Sequence, residues 1–276
     1  MTRTRAIWLG LGLCLTLAVP AAAVIEAAPV VAQALADRQP SPPKDDAKCS
    51  TCDGFHLMLQ GDYPRAMHIF RLRAAEGDSM AMYNLGWMYQ HGLGMPPDMR
   101  QAIVWYGKSG DRGNGRALVN LWDIYTKGLG VPVDHELAHQ YLQKAVGTGE
   151  PEALTQEGRR FLLGDGYPMD YGRAIVLFRA GVAGGDPTAM NEIGFVYQHG
   201  LGVKPDAAAA WCWYQRAIAN GYDGSIKHLG ELTAAGLMPT ADCSVVSGAA
   251  LPGPAASRAA RKVAAWGAAE NGYDGR

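Results

Sequence analysis

A 36-residue repeat constrains the fold of this chain more than any other feature of its sequence. When residues 79–114, 115–150, 151–186 and 187–222 are aligned, the same residue types recur without a gap. Recurrence at one spacing indicates a unit that stacks on copies of itself, because a single short unit cannot bury its own apolar face. The recurring residues include Ala81, Ala117, Ala153 and Ala189; Tyr89, Tyr125, Phe161 and Tyr197; and Asp98, Asp134, Asp170 and Asp206.

The spacing within each unit predicts two antiparallel helices. Ala81, Leu85 and Tyr89 are four residues apart and therefore share one face of a first helix. Gly92 ends that helix because glycine adopts positive φ angles without steric strain. Asp98 is then placed to cap the N-terminus of the second helix. We therefore predict an all-α fold, an α/α superhelical solenoid of stacked helix–turn–helix repeats.

The pattern A-x-x-x-L-G-x-x-Y-x-x-G-x-G-V-x-x-D-x-x-x-A-x-x-W-Y resembles the Sel1-like repeat, a relative of the tetratricopeptide repeat. Residues 187–222 carry the pattern most fully, with Ile193 as the only substitution. Residues 151–186 match it least. Their departures from the pattern are Glu157, Arg159, Arg160 and Asp165-Gly166-Tyr167. The third unit is therefore either less regular or specialised.

The resemblance and the composition divide the chain. Residues 61–78 align with a second helix and residues 223–242 with a first helix, so half-repeats flank the four full units. The predicted organisation is a signal peptide at 1–23, a linker at 24–54, the Sel1-like solenoid at 55–242, and a linker with a terminal capping helix at 243–276.

The amino terminus has the features of an export signal. Arg3 and Arg5 precede an uncharged apolar stretch, residues 6–19, and small residues follow. We predict cleavage after Ala23, with cleavage after Ala36 as the second choice, and a periplasmic or secreted location. The alternative is a retained membrane anchor, since residues 6–25 carry no charge and a span needs roughly 20 residues.

Two observations bear on catalysis and on nucleic acid. The formal net charge of −1 gives no electrostatic reason to expect nucleic-acid binding. His135-Glu136-Leu137-Ala138-His139 matches the H-E-x-x-H zinc-protease motif. The repeat register explains Ala138 as a packing residue and Asp134 as a helix cap, and no third zinc ligand is evident. We therefore predict no catalytic residues and no cofactor, and keep metal binding by His135 and His139 as an alternative.

The cysteines outside the signal segment are even in number, as expected in an oxidising compartment. Cys49 and Cys52 are close enough in sequence for a local disulfide, with a redox role as the alternative. Cys212 and Cys243 are candidates for a bridge to the C-terminal cap, although their spacing alone leaves this pairing open.

Partner binding is expected on the first helices, which usually line the concave side of such solenoids. The Sel1-like resemblance implies an exported, non-catalytic scaffold or adaptor for a protein or peptide. It also leaves open an envelope enzyme of the cysteine-rich type that acts on β-lactams. The predicted contact residues vary between units. They are Met80, Tyr83, Asn84, Trp87, His91, Arg116, Asn120, Asp123, Lys127, Glu152, Gln156, Arg159, Asn191, Phe195 and His199.

Overall fold

A computed structural model describes residues 50–238 and Cys243, with side chains from residue 53 onward. This part of the chain contains eleven helices and no strand, which confirms the predicted all-α solenoid. The helices are α1 Ser50–Leu59, α2 Tyr63–Ala75, α3 Ser79–His91, α4 Met99–Gly110, α5 Gly115–Lys127, α6 His135–Thr148, α7 Pro151–Leu163, α8 Tyr171–Ala183, α9 Pro187–His199, α10 Ala207–Ala219 and α11 Ser225–Ala234.

The predicted helix boundaries are confirmed at both ends of the loop inside each unit. The first helices α3, α5, α7 and α9 end on glycines in the left-handed conformation, as Gly92 does with a φ of 65°. The second helices begin after aspartates, and the Asp98 carboxylate accepts a hydrogen bond from the Gln101 amide at 3.0 Å. Asp134, Asp170 and Asp206 cap α6, α8 and α10 in the same way.

A close contact between the two helices of a unit explains the glycine inside the first helix. A Cβ atom added to Gly86 would lie 2.6 Å from Cδ1 of Tyr106, so the ring of α4 requires a residue without a side chain. Gly158 with Phe178 and Gly194 with Tyr214 repeat this arrangement. In the second unit the sizes are exchanged, because Trp122 takes the glycine position and Leu142 takes the aromatic one. Trp122 is therefore only partly buried.

The units stack through alternating helices. Each second helix packs against the first helix of the next unit, and α7 also contacts both α5 and α9 directly. Within the described part of the chain, no two successive second helices approach each other as closely. The first helices therefore lie on the inner, concave side of the curve, and the second helices lie outside.

The half-repeats at both ends are helical. Helix α2 is the predicted second helix, capped by Asp62, and α11 is the predicted first helix. Helix α1 begins at Ser50, before the expected start of the solenoid at residue 55. A disulfide joins Cys212 to Cys243 with a Cα–Cα distance of 5.4 Å, which resolves the pairing that the spacing left open.

Several predictions fall outside this region. They lie outside the residues or side chains that the structure describes, and they are the signal peptide, most of the linker, the Cys49–Cys52 pairing and the terminal capping helix. Among the helices from residue 50 to residue 238, none has the length and apolar character needed to cross a bilayer.

Candidate functional site

The inner face of the solenoid carries the predicted contact residues, but three of them are not accessible. Tyr83, Asn84 and Asn191 are buried, with at most 6% of each residue exposed. Asn191 accepts a hydrogen bond from the Ser225 hydroxyl at 2.7 Å, so it joins α9 to α11. This is a correction: these residues face the neighbouring helix, and they pack the units together rather than line an open surface.

Two aromatic and histidine pairs occupy equivalent positions near the ends of the inner face. Trp87 lies against His91 with ring centroids 3.8 Å apart, and Phe195 lies against His199 at 4.3 Å. Trp87 and Phe195 are partly buried. Burial lowers the pKa of His91, which favours the uncharged imidazole. Each pair forms a surface of two tilted rings on the inner face.

Charged side chains occupy the middle of the inner face, where Asp123 and Arg159 take the positions of Trp87 and Phe195. Arg116 Nε lies 3.8 Å from Glu150, and Arg159 Nε lies 3.6 Å from Glu192. Glu152 extends from the same face. Burial of its carboxyl group, and then the negative charges of nearby Asp186, Glu150 and Asp123, raise its pKa to about 7.

The contact between the second and third units differs from the other contacts between full units. We call the contacts of α4 with α5, α6 with α7 and α8 with α9 junctions 1–2, 2–3 and 3–4. Five positions in the repeat register are apolar at junctions 1–2 and 3–4 and polar at junction 2–3. Junction 1–2 has Met99, Ile103, Leu121, Ile124 and Leu129; junction 3–4 has Tyr171, Ile175, Ile193, Val196 and Leu201; junction 2–3 has His135, His139, Glu157, Arg160 and Asp165.

Four of these polar side chains, together with Gln143 and Tyr167, form one network, which we call the junction network. Arg160 is its centre. Its Nη1 contacts His139 Nδ1, its Nε lies 3.5 Å from the Asp165 carboxylate, and its Nη1 lies 4.0 Å from Glu157 Oε2. Gln143 donates to Glu157 Oε1 at 2.8 Å and lies 3.0 Å from the Tyr167 hydroxyl.

Glu157 is the most deeply buried member of the junction network. Only 3% of the residue is exposed, and within the described part of the chain its Oε2 atom has no hydrogen-bond partner. A buried carboxylate needs a paired charge and hydrogen bonds to offset its lost hydration. Arg160 and Gln143 supply these, so the three residues form one interdependent unit.

The two histidines of the H-E-x-x-H motif have different surroundings. His135 is exposed in the first turn of α6, whereas His139 is partly buried against α7. His139 Nδ1 faces Arg160 and its Nε2 lies 3.3 Å from the Tyr167 hydroxyl. Burial, and then the positive charge of Arg160, lower the pKa of His139. With both ring nitrogens engaged and a cation beside them, this pair is not arranged to ligate zinc.

The described residues bring together no group of three or more His, Cys, Asp or Glu side chains suited to a metal ion. The contacts of His139 disfavour metal binding by His135 and His139, because a metal ion could bind this imidazole only after it had separated from Arg160 and Tyr167.

A cavity of about 580 Å³ opens beside the junction network. Its walls are formed by helices α5, α6 and α7 and by the loop after α7. At junction 2–3 the second helix packs less extensively against the next unit than at junctions 1–2 and 3–4. The lining residues are Trp122, Thr126, His135, Ala138, His139, Gln156, Arg159, Arg160, Leu163 and Asp165.

A family model for the Sel1 repeat matches residues 79–114, 117–146 and 187–222. The chain contains Sel1 repeats. The matched ranges leave out residues 151–186, the unit whose polar substitutions build the junction network.

Solved structures show the same solenoid of Sel1 repeats. A Sel1 repeat protein from Oxalobacter formigenes is 25% identical with a TM-score of 0.61, over 81% of this chain and 83% of that one. A protective antigen of uropathogenic Escherichia coli, described as having an SLR fold, is 26% identical with a TM-score of 0.57. That match covers 86% of this chain and 48% of the antigen.

A curated relative matches over a shorter region. A sel1-like repeat-containing protein of Acanthamoeba polyphaga mimivirus is 37% identical over 60 residues, which is 22% of this chain. The matched segment spans only 10% of the length of that protein.

Comparison of the repeat units in the sequence identified some residues of the junction network and the cavity, but it did not predict that they lie together. Glu157, Arg160 and the Asp165-Gly166-Tyr167 loop were recognised as departures from the pattern. Trp122 and Gln143 were missed. Trp122 had a detectable signal, since it replaces a glycine present in the other three units. Gln143 had none, because its position is also variable in the other units.

Proposed function

We propose that this protein is a non-catalytic scaffold or adaptor that binds a protein or peptide partner along the inner face of its Sel1 solenoid. The observation that carries the proposal is the arrangement of α5, α7 and α9, whose direct contacts create one continuous inner surface. Solenoids of this kind use such surfaces for extended partners. Trp87 and Phe195 supply aromatic anchors, which contribute much of the binding energy at protein interfaces.

The proposal includes the chemistry of the anchors. Trp87 and Phe195 are held in place by His91 and His199, so a partner would bind them with little loss of side-chain entropy. The charged residues between the anchors would set the register of the bound segment. Nothing in this arrangement requires a cofactor, and the partner is a polypeptide rather than a nucleic acid.

We also propose that the chain acts outside the cytoplasm, after export directed by residues 1–23. The Cys212–Cys243 disulfide supports this location, because disulfides persist in oxidising compartments. The test is fractionation of cells expressing the full chain, with mass spectrometry of its amino terminus. An exported protein that starts after Ala23 supports the proposal. A membrane fraction with an intact amino terminus would identify the segment as an anchor instead.

Quantitative affinity purification tests the inner face. Trp87→Ala combined with Phe195→Ala should reduce recovery of specific partners by about tenfold or more, since two hot-spot residues are lost. Leu72→Ala combined with Val104→Ala is the matched control. Leu72 and Val104 are exposed apolar residues of the second helices α2 and α4. Equal losses in both double variants, with helical content unchanged, would rule out a specific role for the inner face.

A further inference from the structure

The cavity at junction 2–3 has uncommitted hydrogen-bonding groups. The Thr126 hydroxyl, the His135 imidazole and the Gln156 amide line it, and none of them is bonded to another described residue. Arg159 also lines it, and among the described residues its guanidinium forms no hydrogen bond and has its ion-pair contact from Nε to Glu192 at 3.6 Å. Its two terminal nitrogens therefore have hydrogen-bond donors to offer to a ligand.

Each carboxylate near the cavity already has an arginine partner, with Arg160 shared by Asp165 and Glu157 and Arg159 paired with Glu192. Asp165 binds Arg160 through its carboxylate and through its backbone oxygen, which accepts from Arg160 Nε at 3.2 Å. Glu157 lies beneath the wall, buried, and accepts from Gln143. Glu192 partly offsets the charge of Arg159. Arg159 offers only donors, whereas Thr126, His135 and Gln156 can each donate or accept, so an occupant that supplies acceptors can bond to all four. A carboxylate is the side-chain acceptor that a guanidinium binds best, because both groups are planar and bond in pairs.

The remaining lining residues indicate which kind of molecule would bring the carboxylate into the cavity. Trp122, Leu163 and Ala138 give the cavity an apolar side, and about 580 Å³ is within the range of sites for small groups. Gln156 and Arg159 belong both to the cavity and to the inner face. The inner face continues beyond the cavity in both directions, to Asp123 on α5 and to Phe195 on α9. A polypeptide would therefore pass across this opening rather than end in it.

We propose that the junction 2–3 cavity is a specificity pocket for an acidic side chain, glutamate or aspartate, within the partner segment bound on the inner face. This inference rests on the proposed scaffold function and adds the chemistry of one partner residue. Arg159 binds the carboxylate, Thr126, His135 and Gln156 are placed to donate further hydrogen bonds, and Trp122 contacts the aliphatic part. Arg160, held by Glu157 and Asp165, positions the wall of the pocket.

Fluorescence polarisation with peptide pools tests the pocket. Each pool consists of labelled nine-residue peptides with blocked ends, random except for a central Glu, Gln or Lys. We expect the Glu pool to bind the full-length protein about tenfold more tightly than the Gln pool, because a charge-assisted hydrogen-bond pair is lost in the latter. Arg159→Gln should abolish this preference. Arg179→Gln, which alters an exposed arginine of the second helix α8 outside the inner face and the cavity, should retain it.

The outcomes separate the pocket from the inner face. If Trp87→Ala with Phe195→Ala weakens all pools while wild type does not distinguish Glu from Gln, the scaffold function stands and the pocket is refuted. If a fourth pool with central Gln and a free carboxyl terminus binds best, the site takes a chain end and the proposal is wrong. Preference for the Lys pool would also overturn it.

A second measurement decides the case in which no pool binds. N-acetylglutamate N-methylamide is titrated into labelled protein, and the indole N–H signal of Trp122 is followed by NMR, assigned with Trp122→Phe. The pocket is supported if this probe shifts the Trp122 signal, its glutamine analogue does not, and Arg159→Gln abolishes the shift. In that case the pocket stands although the scaffold function fails. The absence of any shift refutes the pocket as well.

Discussion

Junctions 2–3 and 3–4 are built on the same helix geometry with opposite chemistry. At junction 3–4, Ile193 and Val196 are buried among apolar side chains, whereas the equivalent residues at junction 2–3 are Glu157 and Arg160. A buried ion pair rarely stabilises a protein more than apolar residues of similar volume. The junction network is therefore not expected to add stability beyond what apolar packing would give, and it lies beside the cavity.

The same comparison shows how the repeat tolerates the change. Four of the five polar side chains of junction 2–3 form hydrogen bonds and ion pairs with one another and with Gln143. These four stand at positions that are apolar at the other two junctions. Trp122, which takes the glycine position in the second unit, lines the cavity beside α6. A single polar substitution at either of the other junctions would have no such partners.

Ile193→Glu is expected to give the largest effect. The new carboxylate would be buried in the apolar junction 3–4 without a cation, and the free energy of unfolding should fall by about 3–5 kcal/mol. Urea denaturation measures this change. Ile193→Leu is the control and should lose less than about 1.5 kcal/mol. A mild effect of the glutamate would mean that junction 3–4 accommodates charge as junction 2–3 does.

Arg160→Leu should destabilise junction 2–3 by about 3 kcal/mol at neutral pH, because buried Glu157 loses its cation. Arg65→Leu provides a control, since Arg65 forms an ion pair with Asp62 at the surface and such pairs contribute less than about 1 kcal/mol. Equal losses in the two variants would show that the Glu157–Arg160 pair is no more important than a surface one.

Glu157→Leu combined with Arg160→Ile restores the apolar chemistry of the other junctions. We expect this double variant to recover the loss of Arg160→Leu and to exceed wild-type stability by about 1–2 kcal/mol. Thermal and urea denaturation measure the gain. A double variant less stable than wild type would show that the junction network contributes to stability more than apolar packing does at this position.

The pH dependence of stability should show the smallest effect. Because burial and Arg160 lower the pKa of His139, the folded protein favours the neutral imidazole. The resulting stability is fully present above the unfolded pKa of about 6.5, and it is lost as the pH falls below that value towards the lower pKa of the folded state. His139→Ile, which copies Ile103 and Ile175, should flatten this decline. His135→Ala should leave the decline in stability unchanged. Equal effects of the two substitutions would show that groups other than His139 cause the decline.

Much of the fold was predictable from the sequence. Asp98 and its equivalents were recognised as caps and Gly92 and its equivalents as helix ends, because local hydrogen bonding and backbone sterics decide those positions. Leu85, Leu121 and Ile193 were recognisable as core residues from helical spacing. The burial of Tyr83, Asn84 and Asn191 was not, because it depends on the neighbouring unit rather than on the helix that carries them.

The candidate site was predictable only in fragments. Glu157, Arg160 and Asp165 stood out as exceptions to the pattern, and His139 stood out as half of a metal motif. They come from different units, and no local signal joins His139 to Arg160. The H-E-x-x-H spacing describes one helix face, whereas the actual neighbour of His139 comes from the next unit.

The 36-residue repeat by itself determined the helix pairs, their caps and the stacking of like units, because these features depend on residues close together in the chain. Only the tertiary structure decided that the exceptions of the third unit and His139 of the second form one network with a cavity beside it. The physical reason is that contacts between units depend on how complete helices pack. Side chains that are far apart in sequence become neighbours only when the units stack.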